Sequence, residues 1–336
     1  MSLRTDIVLI GLIILGILIL FGMNLLLGDV SLKFADVLNL LAGGTVDNPA
    51  SSYIVESRLN RSIVAVLAGG ALAISGLILQ VFFRNPLAGP GVLGVTSGAS
   101  LGVAVVILGG ATMGSLLGNL GIVLAGIIGA VAVLFLLLFI AKFIKNAVTL
   151  LVAGLMFGYF TAALINVLFL WANESDTRAY VVWGLGSFEG LNPTELLIFT
   201  TLIIVLSLLC FTLVKPLNAL VAGTDYAASI GINVKTTRLL IILLTGMLAA
   251  IVTVYCGPVG FIGIAVPQLV RVLVKSKNHA VILPVVFIAG SLLALGADFI
   301  VRMSSNSLPL NTVTAIVGAP IIIWVIVKMN QRNVSF

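Results

Sequence analysis

Between Arg84 and Lys142 the chain runs 57 residues without one ionisable side chain, and shorter charge-free stretches flank this one on both sides. A helix needs about 20 predominantly apolar residues to cross a bilayer core, and a charge at its centre costs roughly 2.5–3.5 kcal/mol on insertion scales. Charges in such a chain therefore mark the connections between spans. The charge-free stretches are 7–28, 62–83, 85–141, 146–173, 196–214, 239–270, 280–297 and 303–327. Six hold one span each. The longest is split by the turn-rich Asn85-Pro86-Leu87-Ala88-Gly89-Pro90-Gly91 and is expected to give two full spans, with Gly109, Gly110 and Gly114 as the next break. Stretch 239–270 is interrupted by Gly257-Pro258 and again by Pro267, so one full helix followed by a short, half-depth one is expected. The total is about ten transmembrane helices in an all-α polytopic chain, with residues 1–336 forming a single membrane domain.

With 61% hydrophobic and 8% charged residues, no segment has the composition of a separate soluble domain. The first stretch, 22 residues long, exceeds an ordinary signal-peptide core and lacks an A-x-A site, so it is expected to be a retained helix. Cys210 and Cys256 fall in expected spans as small apolar packing groups. Gly94, Gly98 and Gly102 recur every four residues, as do Gly114 with Gly118 and Gly154 with Gly158. Such small faces let helix backbones approach closely in lipid.

An even number of spans places both termini on one side, and the basic residues choose which. The terminal side collects Arg4, Arg84, Lys142, Lys145, Lys215, Lys235, Arg238, Arg271, Lys275, Lys277, Lys328 and Arg332 against Asp6 and Asp225. The other side collects only Lys33, Arg58, Arg61, Arg178 and Arg302 against nine acids, Asp29, Asp36, Asp47, Glu56, Glu174, Asp176, Glu189, Glu195 and Asp298. Both termini are therefore expected in the cytoplasm. The net charge of +6 reflects this topology and gives no indication of nucleic-acid binding. Outer segments 29–59 and 172–194 are long enough for short surface helices. In the inner segment 215–237, residues 224–233 read as a short amphipathic helix.

Several chemistries are excluded. No G-x-x-x-x-G-K-[ST] loop occurs, so ATP has no Walker A site here. The single histidine, His279, is too little for a metal cage or a His-based triad. Ion-coupled carriers place ionisable groups near the membrane midplane. The one candidate, Asp298, lies near the outer end of its span with Arg302 one turn later, an ordinary i,i+4 pairing. An ion-coupled secondary transporter is thus the alternative to a conduit energised from elsewhere.

A collinear set of motifs sharpens this reading. It comprises Arg58-Leu59-Asn60-Arg61; Ala68-Gly69-Gly70-Ala71 through Ser75-Gly76; Gln80; Arg84-Asn85-Pro86-Leu87-Ala88-Gly89-Pro90; Leu93-Gly94; Trp183-Gly184-Leu185-Gly186-Ser187; Gly257-Pro258-Val259-Gly260-Phe261; Val266-Pro267 with Arg271; Ala297-Asp298 with Arg302; and Gly318-Ala319-Pro320. Together they resemble the FecCD-type permeases, membrane subunits of ATP-driven importers for iron-siderophores, haem and cobalamin, over nearly the whole chain. The resemblance implies ten helices per subunit and a second permease subunit, either an identical copy or a paralogue. It also implies two cytoplasmic ATPase subunits carrying ATP and Mg, an extracytoplasmic substrate-binding protein, and a multi-pass location in the bacterial cytoplasmic (inner) membrane. No cofactor and no enzymatic step are expected on this chain. Within the cargo class, a ferric siderophore is taken ahead of haem or cobalamin on the frequency of that cargo in the family.

The resemblance also assigns residues. The helix that seats in the ATPase would be Thr224, Asp225, Tyr226, Ala227, Ala228, Ser229, Ile230, Gly231, Ile232 and Asn233. Here Thr224, Tyr226 and Ala228 replace charged residues common in relatives. Arg58, Arg61 and Arg302 match positions that present cations to acidic residues of the binding protein, work that suits the bidentate guanidinium fork. Asn146, Ala147 and Val148 resemble the cytoplasmic gate, although small hydroxyl residues are frequent where Ala147 and Val148 stand. Gln268 replaces a common His, and the segment 257–271 would form a short eighth helix.

Overall fold

The structure, a computed structural model, describes residues 2–331 apart from 29, 31, 47, 48, 110, 111, 145 and 305–307. Asp29, Asp47, Lys145, Gly110 and Arg332 thus lie outside the described residues. Gly114 and Gly118 lie in the first turns of a helix, where side-chain surroundings are not described.

Among the described residues the chain is helical, with no strand: α1 (Ser2–Leu26), α2 (Phe34–Leu41), α3 (Pro49–Phe83), α4 (Val95–Leu108), α5 (Thr112–Phe143), α6 (Ala147–Phe169), α7 (Glu174–Gly184), α8 (Pro193–Cys210), α9 (Val214–Ala222), α10 (Thr224–Ser229), α11 (Val234–Cys256), α12 (Ile262–Leu273), α13 (His279–Met303) and α14 (Leu310–Gln331). Seven are long and apolar enough to cross a bilayer, and three shorter apolar ones, α4, α12 and α14, complete the expected ten.

Four local expectations are corrected. The first full span of 85–141 is only the 14-residue α4, because Pro86, a 3-10 turn at Pro90–Leu93 and the left-handed Gly94 use up the residues before it. The break after α4 falls before Thr112, which leaves Gly114 inside α5. The helix begun at Pro193 does not stop before Lys215. It passes through a short 3-10 turn into α9 and ends at Ala222. The last third of the outer segment 29–59 is the first turns of α3, which runs 35 residues. The half-depth helix is as expected: α12 has 12 residues, about 18 Å at 1.5 Å per residue, against a core of about 30 Å. Gly257, with φ +72°, makes the reversal into it.

α3 is the axis of the bundle. Its most apolar window is 83% buried, against 11% for α1 and 17% for α6, which lie at the periphery. Glycine makes this burial close-packed. A Cβ on Gly69 would strike the Gly290 carbonyl of α13, one on Gly290 would strike the Gly69 carbonyl, and one on Gly76 would strike the Gly263 carbonyl of α12. The expected small faces behave the same way: Gly98 and Gly102 of α4 lie on Gly129 and Ala125 of α5, and Gly94 lies on Gly154 of α6. Where lipid removes the hydrophobic incentive for helix association, such backbone contact supplies the van der Waals attraction. Hydroxyls inside the bundle go to backbone carbonyls: Ser75 donates to Thr245 O (3.1 Å), and Ser291 donates to Val66 O (2.7 Å).

Cross-helix hydrogen bonds sort the connections into two ends. At one, Asp6 accepts from Lys275 N (3.2 Å) and Arg84 donates to Leu220 O (3.3 Å). At the other, Arg58 reaches α1 and Asn311 N donates to Leu185 O (3.1 Å). We refer to these as the inner and outer ends. Since α14 starts at the outer end, both ends of the described chain lie at the inner one.

Gly76→Ala and Gly290→Ala are each expected to lower stability by about 1–3 kcal/mol through overpacking. Gly11→Ala, whose Cβ meets nothing within 4 Å, should leave it unchanged. Thermal unfolding of the purified chain in detergent checks both.

Candidate functional site: the two polar ends

At the outer end α1 stops at Leu26, and its last carbonyls have no partner within the helix. Two arginines from other helices supply the donors. Arg58 of α3 donates to Leu25 O (2.9 Å), Leu26 O (3.3 Å) and Val30 O (2.6 Å). Arg302 of α13 donates to Asn24 O (2.5 Å) and Leu27 O (2.7 Å). Cations at a helix C-terminus also oppose the negative end of its dipole. Gly28, at φ +151°, makes room: a Cβ there would come within 2.5 Å of one guanidinium and 2.8 Å of the other.

Arg61 sits one turn beyond Arg58 and does something different. Its Nε donates to Asp298 Oδ1 of α13 (2.7 Å), and its Nη1 pairs with Glu189, in the connection between α7 and α8. The ion pair made by Asp298 is therefore with Arg61 across helices. Arg302, one turn later, remains a nearby charge to Asp298 while donating to the α1-end carbonyls. The three arginines, Asp298 and Glu189 line one cavity of about 740 Å³. Arg58 and Arg61 are buried and Arg302 is half-buried, so each is held in place by the fold.

At the inner end, α10 is shorter than expected. Thr224, Asp225, Tyr226, Ala227, Ala228 and Ser229 form it, and Ile230 caps it. Gly231 (φ +85°) reverses the chain, Ile232 N donates back to Ala227 O (3.0 Å), and Asn233 caps α11 by accepting from Thr236 N (3.1 Å). Ala227 is buried, whereas Tyr226 and Ile230 are 52% and 53% exposed, so the helix turns one face outward. Gly223, at φ +132°, sets it at an angle to α9.

α9 is fastened on both sides. Arg84, from the end of α3, donates to its Leu220 carbonyl. Asn218 Oδ1 accepts from His279 N (2.9 Å) and lies 2.7 Å from His279 Nδ1, while Asn218 Nδ2 donates to Asn278 (2.9 Å), all at the start of α13. His279 is thus engaged by an amide, and no metal-ligating cluster occurs among the described residues. Asn146 caps α6, accepting from Val148 N (2.8 Å). Ala147 is half-buried and Val148 is 60% exposed at the same inner turn. Gln268, standing where relatives carry His, donates to Gln80 Oε1 (2.7 Å) and Pro86 O (3.1 Å), joining α12, α3 and the 85–91 turn.

Sequence reasoning missed Glu189, Asn24 and Asn218. Asn24, the one amide in the first apolar stretch, was the visible signal. Glu189 and Asn218 gave none, since each finds its partner on a distant segment.

Arg58→Met should lower stability by about 1–3 kcal/mol, the cost of leaving buried carbonyls without donors. It should also speed amide exchange in residues 24–28, which hydrogen-exchange mass spectrometry reads.

Several known proteins are similar to this chain. The vitamin B12 import system permease protein BtuC of Klebsiella pneumoniae subsp. pneumoniae is 36% identical over 285 residues, 84% of each chain. That of Salmonella arizonae is 34% identical over 290 residues, 85% of this chain and 86% of the relative. Among solved structures, a metal-chelate type ABC transporter in an inward-facing conformation superposes with a TM-score of 0.83 at 28% identity, covering 95% of this chain and 99% of that one. PsaBC of Streptococcus pneumoniae, at 15% identity and TM-score 0.56, shares the fold alone. The FecCD transport family matches residues 14–328, and the chain belongs to that family.

Proposed function

We propose that this chain is the membrane permease of an ATP-binding-cassette importer for metal chelates, working in the bacterial inner membrane beside a second permease subunit, identical or paralogous. Family membership carries this reading. It makes the chain a transport subunit and not an enzyme; in our reading ATP and Mg are held by two separate ATPase subunits. The excess of basic residues at the inner end supports a cytoplasmic location for that end and for both termini.

The two polar ends then take complementary roles. Arg58, Arg61 and Arg302 dock acidic residues of an extracytoplasmic substrate-binding protein, held ready by the α1 carbonyls and by Asp298. The segment 224–233 seats in the ATPase through Tyr226 and Ile230. ATP-driven closure of the ATPase pair pushes α10 and α9 together, and the ties from α9 to Arg84 and His279 pass that displacement to α3 and α13 as rigid-body motion. Asn146, Ala147 and Val148, at the α5–α6 turn, form the inner gate. An ion-coupled carrier is disfavoured, because every acidic side chain among the described residues lies in a connection or within two turns of a helix end.

Ferric siderophore remains the first reading for the cargo. Cobalamin is the second, favoured by the relatives named as vitamin B12 permeases. Proteoliposomes holding the chain with its ATPase and binding protein should take up one of labelled ferric siderophore, haem and cobalamin, and uptake of none would contradict chelate import. Ile230→Glu, a charge placed on the exposed face of α10, should reduce co-purification of the ATPase at least tenfold while leaving thermal unfolding of the permease unchanged. Size-exclusion chromatography of the co-expressed subunits reads this.

A further inference from the structure

Glu189 is the one partner of Arg61 that faces water. Its side chain is 58% exposed, whereas the Asp298 side chain on the other side of the same guanidinium is 1% exposed. The carboxylate is not there by chance of a loose loop. Ser187 N donates to Cys256 O (2.8 Å), Ser187 Oγ accepts from Glu189 N (3.0 Å), Asn311 N donates to Leu185 O (3.1 Å), and the neighbouring Phe188 is buried. The connection is therefore pinned to the end of α11 and the start of α14, and it holds a carboxylate against Arg61 at the mouth of the outer cavity.

The two carboxylates have unequal freedom. Asp298 grips Nε from inside the bundle, where losing the guanidinium would strand a buried charge, so that contact persists. Glu189 takes Nη1 from the solvent side, where its own half-exposed carboxylate is readily rehydrated and exchanges easily. Asp298 thereby aims the guanidinium outward, and Glu189 occupies the position that an incoming carboxylate needs.

We propose that Glu189 is an internal surrogate for the binding protein's acidic docking residue, released from Arg61 when the partner's carboxylate takes its place. The proposal rests on the docking role of Arg61 given above. Exchange of one carboxylate for another leaves the charge around Arg61 unchanged before and after docking, so it fixes where the partner sits while contributing little net affinity. That weak net affinity lets the partner leave after delivery.

Binding of the transport system's own binding protein to the full chain in nanodiscs tests this by biolayer interferometry. Glu189→Gln and Glu189→Ala should each tighten binding roughly 2–5-fold, the size of a solvent-facing ion pair removed from competition. In an Arg61→Gln/Asp298→Asn background, which removes the guanidinium together with its buried counter-charge, the same Glu189 change should have no effect. Unchanged or weaker binding of the Glu189 variants overturns the surrogate role, and docking through Arg61 still stands if the Arg61→Gln/Asp298→Asn chain binds more weakly than wild type. If that double variant binds as tightly as wild type, docking through Arg61 fails, and the surrogate role fails with it.

Discussion

A helix that ends beside a bilayer leaves up to four carbonyls without an intrahelical partner, and water is scarce there to replace it. This bundle supplies the missing donors from its central helix. Arg58, near one end of α3, serves the C-terminus of α1, and Arg84, just past the other end, serves the C-terminus of α9. The helix that is the packing axis is thus also the source of caps at both ends. α13 gives a cap of the same kind through Arg302 at α1, and its own start is held from α9, where Asn218 Oδ1 accepts from His279 N.

α3 and α13 are joined along their length. The Arg61–Asp298 pair binds them at the outer end, Gly69 and Gly290 bring their backbones together near the middle, and Ser291 donates to Val66 O between the two. Both are tied at the inner end to α9, which leads directly into α10. A displacement of α10 therefore meets a pair of long, mutually packed helices whose far ends carry the arginine cluster. The peripheral α1 and α6 are much less enclosed. Most of their apolar surface is left for lipid or for a second subunit.

The sequence made much of this legible, for a physical reason: charges are excluded from spans, so their gaps count helices almost directly. Ten apolar helices were expected from the gaps, and the interruption at Gly257-Pro258 correctly marked a half-depth helix. The local failures share a cause. Hydropathy does not say where a backbone turns, so α4 reads as a full span although Pro86, Pro90 and Gly94 shorten it. Likewise, the charge at Lys215 reads as a helix end although the backbone runs on to Ala222. The arginines were found through the resemblance, but their partners were not. Which carbonyl or carboxylate meets Arg58, Arg61 or Arg302 depends on contacts between segments far apart in sequence, and i,i+4 spacing shows Asp298 its neighbour Arg302 but not Arg61, which hydrogen-bonds it.

The most direct test of the account is the energy source of transport. In sealed proteoliposomes holding the permease with its ATPase and binding protein, uptake of the metal chelate should require hydrolysable ATP and the binding protein, and should persist when proton and sodium gradients are collapsed. Accumulation without ATP, driven by an imposed ion gradient, would contradict it.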